Sequence, residues 1–228
     1  MLCDLLIAKD LFFFSRKRWF DNEHANTERG LNQSTKLTTD IELTIHQILP
    51  KIDQLFIDKY RVVFDAVPFT HLNIDYPTIS KDMLVKMIHL LPNLHSLKLS
   101  SLRLIQSSRV ELNLTKMRSP PYIDNKITKV CHENTTDREQ VDYLLHLCLS
   151  MEHFQVHVSE TIDLNCLLRL ILTKVGTVVP RLRSLCLCVP NASEVITYQL
   201  RNLIESEGLI LLNYVIKCSG NHIHLQWH

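Results

Sequence analysis

A short apolar phrase recurs along the chain, with an apolar side chain or proline at its start, counted as position zero, and apolar side chains at positions two, five and seven. The last two positions of the phrase are two residues apart, which predicts a strand with one buried face. Repetition of this kind is typical of stacked units, because one unit cannot bury its own apolar face. The copies begin at Pro50, Val67, Pro92, Leu149, Pro180 and Ile210, and a weaker copy holds Ile127 and Val130 between the polar residues Asn125 and His132.

Helical periodicity fills most intervals between these phrases, with apolar residues spaced three and four apart. Each stripe follows a Ser, Thr or Asp whose side chain can accept a hydrogen bond from the first helical turn. The predicted helices span 81–91 after Ser80, 164–174 after Asp163, 194–205 after Ser193, a stretch behind the capping box Thr136 and Glu139, and a stretch from Thr39 and Glu42 to about residue 49.

Alternation of helix and strand predicts an α/β fold in which parallel strands carry helices packed on one face. We assign the array to residues 39–228 and expect residues 1–38 to form an N-terminal helical cap and a polar linker. The triplet Ser219-Gly220-Asn221 separates two strand-like segments and predicts a hairpin that caps the end of the array.

The clearest copies of the phrase read Leu91-Pro-Asn-Leu-His-Ser-Leu-Lys-Leu99 and Val179-Pro-Arg-Leu-Arg-Ser-Leu-Cys-Leu187. This Pro-x-Leu-x-x-Leu-x-Leu pattern resembles the irregular repeats of F-box proteins that carry leucine-rich repeats, and the resemblance runs from residue 49 to the C terminus. It implies a leucine-rich-repeat-like solenoid whose repeat surface holds substrates for a cullin-based ubiquitin ligase. The F-box module that docks such proteins on the ligase is not recognisable in this sequence, since the usual Leu-Pro-x-Glu-like opening is missing.

Composition narrows the classes of partner. The chain has 228 residues, of which 46% are hydrophobic and 21% charged, as is usual for a globular protein. Its net charge of +1 provides no basic field, so we expect no nucleic-acid partner. The apolar stretches are all shorter than the roughly 18 residues of a spanning helix, so we expect no membrane partner.

The number and spacing of the cysteines indicate the redox state of the cellular compartment in which the protein resides. Seven cysteines are scattered along the chain without a CxxC pair, which is typical of a reducing compartment and not of a disulfide framework. The N-terminal apolar run is interrupted by charges and lacks a cleavage site for a secretory signal. We therefore expect a cytoplasmic protein, with the nucleus as the alternative compartment.

The alternation within each phrase also predicts a recognition surface. If the fifth and seventh positions face the core, their neighbours face outward, and this outward surface grows richer in thiols and apolar groups toward the C terminus. Such a surface is typical of protein-binding faces. We expect a protein partner to bind around His153, Gln155, His157, Cys186, Tyr214 and Ile216.

The 12 histidines and seven cysteines are the residues that could form a metal or catalytic site. The pairs His153 with His157 and His222 with His224 lack zinc-finger or HExxH spacing, and Cys186 and Cys188 are interpreted as small strand residues. We therefore expect no metal, no cofactor and no catalytic residue.

The resulting prediction is a non-enzymatic protein-interaction module. The resemblance adds substrate recognition in an F-box-like ubiquitin ligase adaptor. The alternative is a truncated or degenerate repeat protein with a structural role and no ligase docking.

Overall fold

The computed structural model describes residues 12–15, for which only the backbone is considered, and residues 41–46, 61–75, 79–102, 125–206 and 213–227. The strands are β1 (Phe12–Ser15), β2 (Glu42–Ile45), β3 (His71–Ile74), β4 (Ser96–Leu99), β5 (Lys129–Thr135), β6 (His153–Val158), β7 (Ser184–Cys188), β8 (Tyr214–Ser219) and β9 (His222–Trp227). The helices are α1 (Lys81–Leu90), α2 (Arg138–Leu147), α3 (Leu164–Val175) and α4 (Glu194–Ser206), and residues 61–66 are also helical.

The described strands form one sheet in the order β1-β2-β3-β4-β5-β6-β7-β9-β8. Strands β2 to β7 are parallel, and each pairs with the next strand in sequence. Crossover connections between parallel strands have the same handedness, and this places the helices of successive connections on the same face of the sheet. The prediction of an α/β fold with a mostly parallel sheet is therefore confirmed. None of the described helices combines the length and the apolar character needed to span a bilayer.

One core holds the inward strand residues together with the apolar stripes of the helices. The fifth and seventh positions of the phrases at Val67, Pro92, Leu149 and Pro180 are buried, as predicted. They are Leu72 and Ile74, Leu97 and Leu99, Phe154 and Val156, and Leu185 and Leu187.

Three of the predicted helix caps are confirmed by their hydrogen bonds. The Ser80 hydroxyl accepts from the backbone N–H of Met83 at 3.2 Å, and the Ser193 hydroxyl accepts from Ile196 at 3.4 Å. The Asp163 carboxylate accepts from the backbone N–H of Asn165 at 2.9 Å and starts α3. These side chains satisfy N–H groups that the first helical turn leaves without a partner.

The capping box predicted at Thr136 is displaced by one residue. Asp137 caps α2, because its carboxylate accepts from the backbone N–H of Glu139 at 3.0 Å. Thr136 instead pairs with Gln140, whose Oε1 accepts the Thr136 N–H at 3.1 Å and whose Nε2 donates to the Thr136 hydroxyl at 3.2 Å.

Two predictions near the N terminus are wrong. The helical cap fails at Phe12–Ser15, which form β1 antiparallel to β2, and the helix expected after Thr39 fails because Glu42–Ile45 form β2. Strand β2 pairs on both sides and buries all four residues, so sheet pairing outweighs the local capping signal. The rest of the cap and linker, and the phrase that begins at Pro50, lie outside the described residues.

The polar residues at the two ends of the weak phrase around β5 form hydrogen bonds within the fold. Ile127 and Val130 are fully buried, and the Asn125 side chain donates to the Leu147 carbonyl at 2.7 Å. His132 occupies the last inward position and is also fully buried, with its Nδ1 2.8 Å from the Thr135 hydroxyl. The repeat therefore continues through a polar residue that forms a hydrogen bond inside the core.

The predicted C-terminal hairpin is confirmed, with Gly220 at φ 57° in its turn. Its second strand, β9, pairs antiparallel with β7, and β8 is the outermost strand. The core position predicted at Val215 is wrong, since this side chain is 49% exposed. Ile210 and Leu212, the earlier part of the same phrase, lie outside the described residues.

Candidate functional site

The outward side chains of the sheet form rows across the strands, because neighbouring strands pair in register except for a shift between His132 and Thr135 of β5. The row at the carboxyl ends of the parallel strands contains the most chemically reactive groups. This carboxyl-end row consists of Asp75, Ser100, Glu133, His157, Cys188 and His222.

The first half of the carboxyl-end row is a polar network. The Ser100 hydroxyl lies 2.9 Å from Asp75 Oδ1 and 3.2 Å from Glu133 Oε2. Lys98 Nζ forms an ion pair with Glu133 Oε1 at 2.5 Å, and His46 Nδ1 lies 3.2 Å from Asp75 Oδ2. Hydrogen bonds and ion pairs between neighbouring strands thus hold these side chains in place on the outward face of the sheet.

The second half of the row ends in Cys188 and His222, which form a Cys–His cluster with Cys186 of the next row. Cys188 Sγ lies 3.0 Å from His222 Nδ1, Cys186 Sγ lies 3.8 Å from the same nitrogen, and the two sulfur atoms are 4.0 Å apart. These three ligand atoms converge within 4.8 Å of one another, the arrangement of a metal-ligating group.

The local sequence explains how the cluster forms. Cys186 and Cys188 are two residues apart in β7 and therefore lie on the same face of the sheet. Antiparallel pairing with β9 places His222 opposite Cys188 and His224 opposite Cys186. The two imidazole rings are stacked with centroids 6.1 Å apart, so β9 presents both histidines to the thiols of β7.

The cluster favours ionised sulfur at Cys188. Hydrogen bonding with Cys186 lowers the pKa of the Cys188 thiol, and His157 and His222 lower it further, against desolvation, which raises it. The hydrogen bond to Cys188 in turn raises the pKa of His157. In contrast, burial raises the pKa of Cys131 to about 12, so this thiol on β5, two strands from β7, remains neutral.

A cavity of about 490 Å³ adjoins the cluster at the carboxyl ends of β5, β6 and β7. Ligands of open α/β sheets bind at this edge of the strands. Its lining includes Glu133, Thr135, His157, Cys188, Asn221 and His222.

Four of the six predicted partner-binding residues lie together on the outward face. His153, Gln155 and His157 alternate along β6, and Cys186 is directly opposite Gln155 on β7. The Gln155 amide lies 3.0 Å from His157 Nε2 and 3.6 Å from Cys188 Sγ, which links β6 to the Cys–His cluster.

The other two predicted residues, Tyr214 and Ile216, lie on the opposite face, which corrects the predicted surface. They pair with Trp227 and Leu225, whose side chains are in the core, and the Tyr214 hydroxyl donates to Glu205 of α4 at 3.0 Å. The spacing of the repeat predicted that Val215 faces the core. In the structure β8 is shifted by one residue relative to that spacing, and such a shift moves each side chain to the other face of the sheet.

Sequence reasoning missed the association of Cys188 with His222. Alternation along each strand already indicated that Cys186 and Cys188 lie on one face of their strand, and that His222 and His224 lie on one face of theirs. What it did not indicate was that β9, and not β8, pairs with β7. That pairing is a long-range choice for which the sequence has no local signal.

Comparison with protein-family models, curated proteins and solved structures finds no match for this chain. The functional residues are therefore assigned from their positions and chemistry. This is also the physically stronger basis, because one fold supports many unrelated functions.

Proposed function

We propose that this chain is a non-enzymatic protein-interaction module that holds a protein partner on the outward face of its sheet. One observation carries the proposal: β3 to β7 are parallel and pair in sequence order, with one register shift between His132 and Thr135 of β5, and the buried apolar residues of α1 to α4 join the core on the other face. The outward face is therefore a rigid, continuous surface of side chains.

The proposed architecture is a leucine-rich-repeat-like solenoid. Burial of the fifth and seventh phrase positions in four of these strands supports it, since the inward side chains of neighbouring repeats lie side by side in one core. In such an array, the alternating outward residues determine specificity while the inward residues determine stability.

The partner would be recognised by polar complementarity on β6 and β7. His153 is exposed, and Gln155, His157 and Cys186 are half-buried, so these groups can contact a partner while their neighbours hold them in place. Polar side chains that are already ordered lose less conformational entropy on binding, which favours affinity and specificity.

Replacing His153 and Gln155 together with alanine should weaken the bound partner at least about tenfold without unfolding the domain. The partner is first captured from a native lysate on the immobilised full chain and is then purified and titrated by calorimetry. The matched control is Tyr198→Ala, which removes a 64% exposed side chain from α4 on the helical side.

The control should bind as the wild type does, and circular dichroism should show equal folding of the three proteins. Unchanged affinity of the double variant would contradict the proposal, as would an equal loss in Tyr198→Ala.

The narrower role of a ubiquitin ligase adaptor is supported only by the resemblance of the repeats. A direct binding assay between the full chain and a purified cullin adaptor tests it. Binding would support substrate recognition for the ligase. Lack of binding would favour the alternative, a repeat protein without ligase docking.

A further inference from the structure

We propose that the Cys–His cluster is a zinc site, in which Cys186 Sγ, Cys188 Sγ and His222 Nδ1 are the protein ligands. The three atoms come from two neighbouring strands and point toward one another on the same face of the sheet. Two thiolates and one imidazole are a common ligand set for Zn²⁺.

The separations are close to those of a tetrahedral centre. Zinc bonds of about 2.3 Å to sulfur and 2.0 Å to nitrogen imply about 3.8 Å between two sulfur ligands and about 3.5 Å between sulfur and nitrogen. The cluster has 4.0 Å between the sulfur atoms, and 3.8 and 3.0 Å from the sulfur atoms to the nitrogen. Small rotations of the side chains would therefore accommodate the ion.

Other interpretations of the cluster fit less well. A disulfide needs about 2.0 Å between the sulfur atoms, which are 4.0 Å apart and belong to alternate residues of one extended strand. A hydrogen bond between Cys188 and His222 accounts for their 3.0 Å separation, but it does not account for Cys186 Sγ, which lies 3.8 Å from the same nitrogen and 4.0 Å from Cys188 Sγ. The absence of carboxylate from the three ligands disfavours Ca²⁺ and Mg²⁺.

The surroundings supply the rest of the coordination. The adjoining cavity of about 490 Å³ reaches Cys188 and His222, so water from this side can take the fourth position. The Gln155 amide, 3.6 Å from Cys188 Sγ, can donate to the ligating sulfur as an outer-shell partner. On binding, both sulfur atoms ligate Zn²⁺ as thiolates, so a cysteine that is still protonated releases its proton to water as its sulfur bonds to the metal.

The test uses the reduced full-length chain, freed of metal with a chelator and titrated with Zn²⁺ in competition with a metal indicator. One ion per chain should bind with a dissociation constant below about 1 µM at neutral pH. Co²⁺ in place of Zn²⁺ should give sulfur-to-metal charge-transfer absorption, which reports thiolate ligation directly.

Cys188→Ser and His222→Gln should each weaken zinc binding at least about 100-fold and abolish the charge-transfer band. The matched control is the double variant Cys166→Ser and Cys218→Ser, which removes two exposed thiols outside the cluster and should bind as the wild type does. Circular dichroism of each metal-free protein establishes that it is folded, and two ligand variants are used so that misfolding of one leaves the other informative.

Zinc below half an ion per chain would overturn the proposal. Unchanged affinity in a folded ligand variant would also overturn it, as would loss of the site in the control.

Discussion

Replacing Phe154 with alanine should lower the free energy of unfolding by about 3–5 kcal/mol, the largest effect expected of a single substitution here. Phe154 is 1% exposed at the centre of the sheet, where it pairs with Val130 on β5 and Leu185 on β7. The substitution removes apolar contacts in three adjacent strands and leaves a cavity between them. Urea unfolding followed by circular dichroism measures the change.

The matched control is Val215→Ala, on the outermost strand at 49% exposure, where the change should stay within about 0.5 kcal/mol. A loss of less than about 1 kcal/mol for Phe154→Ala would contradict the stacking of inward residues in one core.

Acid should destabilise the protein through His132. The pKa of His132 is lowered from its usual 6.5 to about 4, chiefly by burial and then by the nearby His157, and Glu133 opposes this shift. The unfolded chain therefore binds a proton at a higher pH than the folded chain does. The contribution of this residue to stability is complete above about pH 6.5 and decreases by about 3 kcal/mol as the pH falls to about 4.

Free energies of unfolding measured in urea between pH 7 and pH 4 test this expectation. His132→Leu should lose this part of the pH dependence, because leucine can occupy the apolar site between Leu99 and Val156 without titrating. His89→Gln, at an exposed position of α1, is the control and should keep the wild-type pH dependence. Equal slopes in wild type and His132→Leu would contradict the buried neutral imidazole.

Local signals in the sequence predicted much of the fold. The cap at Asp163 and the stripe behind it define α3 to within one residue, because a carboxylate at the N-cap satisfies backbone donors whatever surrounds the helix. The phrases at Pro92 and Pro180 likewise identified β4 and β7, since alternating leucines require one buried face.

Long-range pairing determined what the sequence did not predict. Glu42–Ile45 become a strand because β1 and β3 pair with both edges, although Thr39 and Glu42 had suggested a helix. The hairpin was predicted, but neither its order in the sheet nor the register of β8 was. The register explains the misplacement of Tyr214, and the pairing of β9 with β7 explains the missed cluster around His222.

The strand pairing between β7 and β9 underlies the outward face and the Cys–His cluster, and nuclear Overhauser effects test it most directly. Cys186 with His224 and Cys188 with His222 are the pairs without mutual backbone hydrogen bonds, as the flanking bonds from Val189 to Asn221 and from Trp227 to Arg183 require. Such pairs bring the α-carbons to about 4.5 Å, so each should give a strong contact between Hα protons. Contacts from β7 to β8 in place of these two would contradict the account.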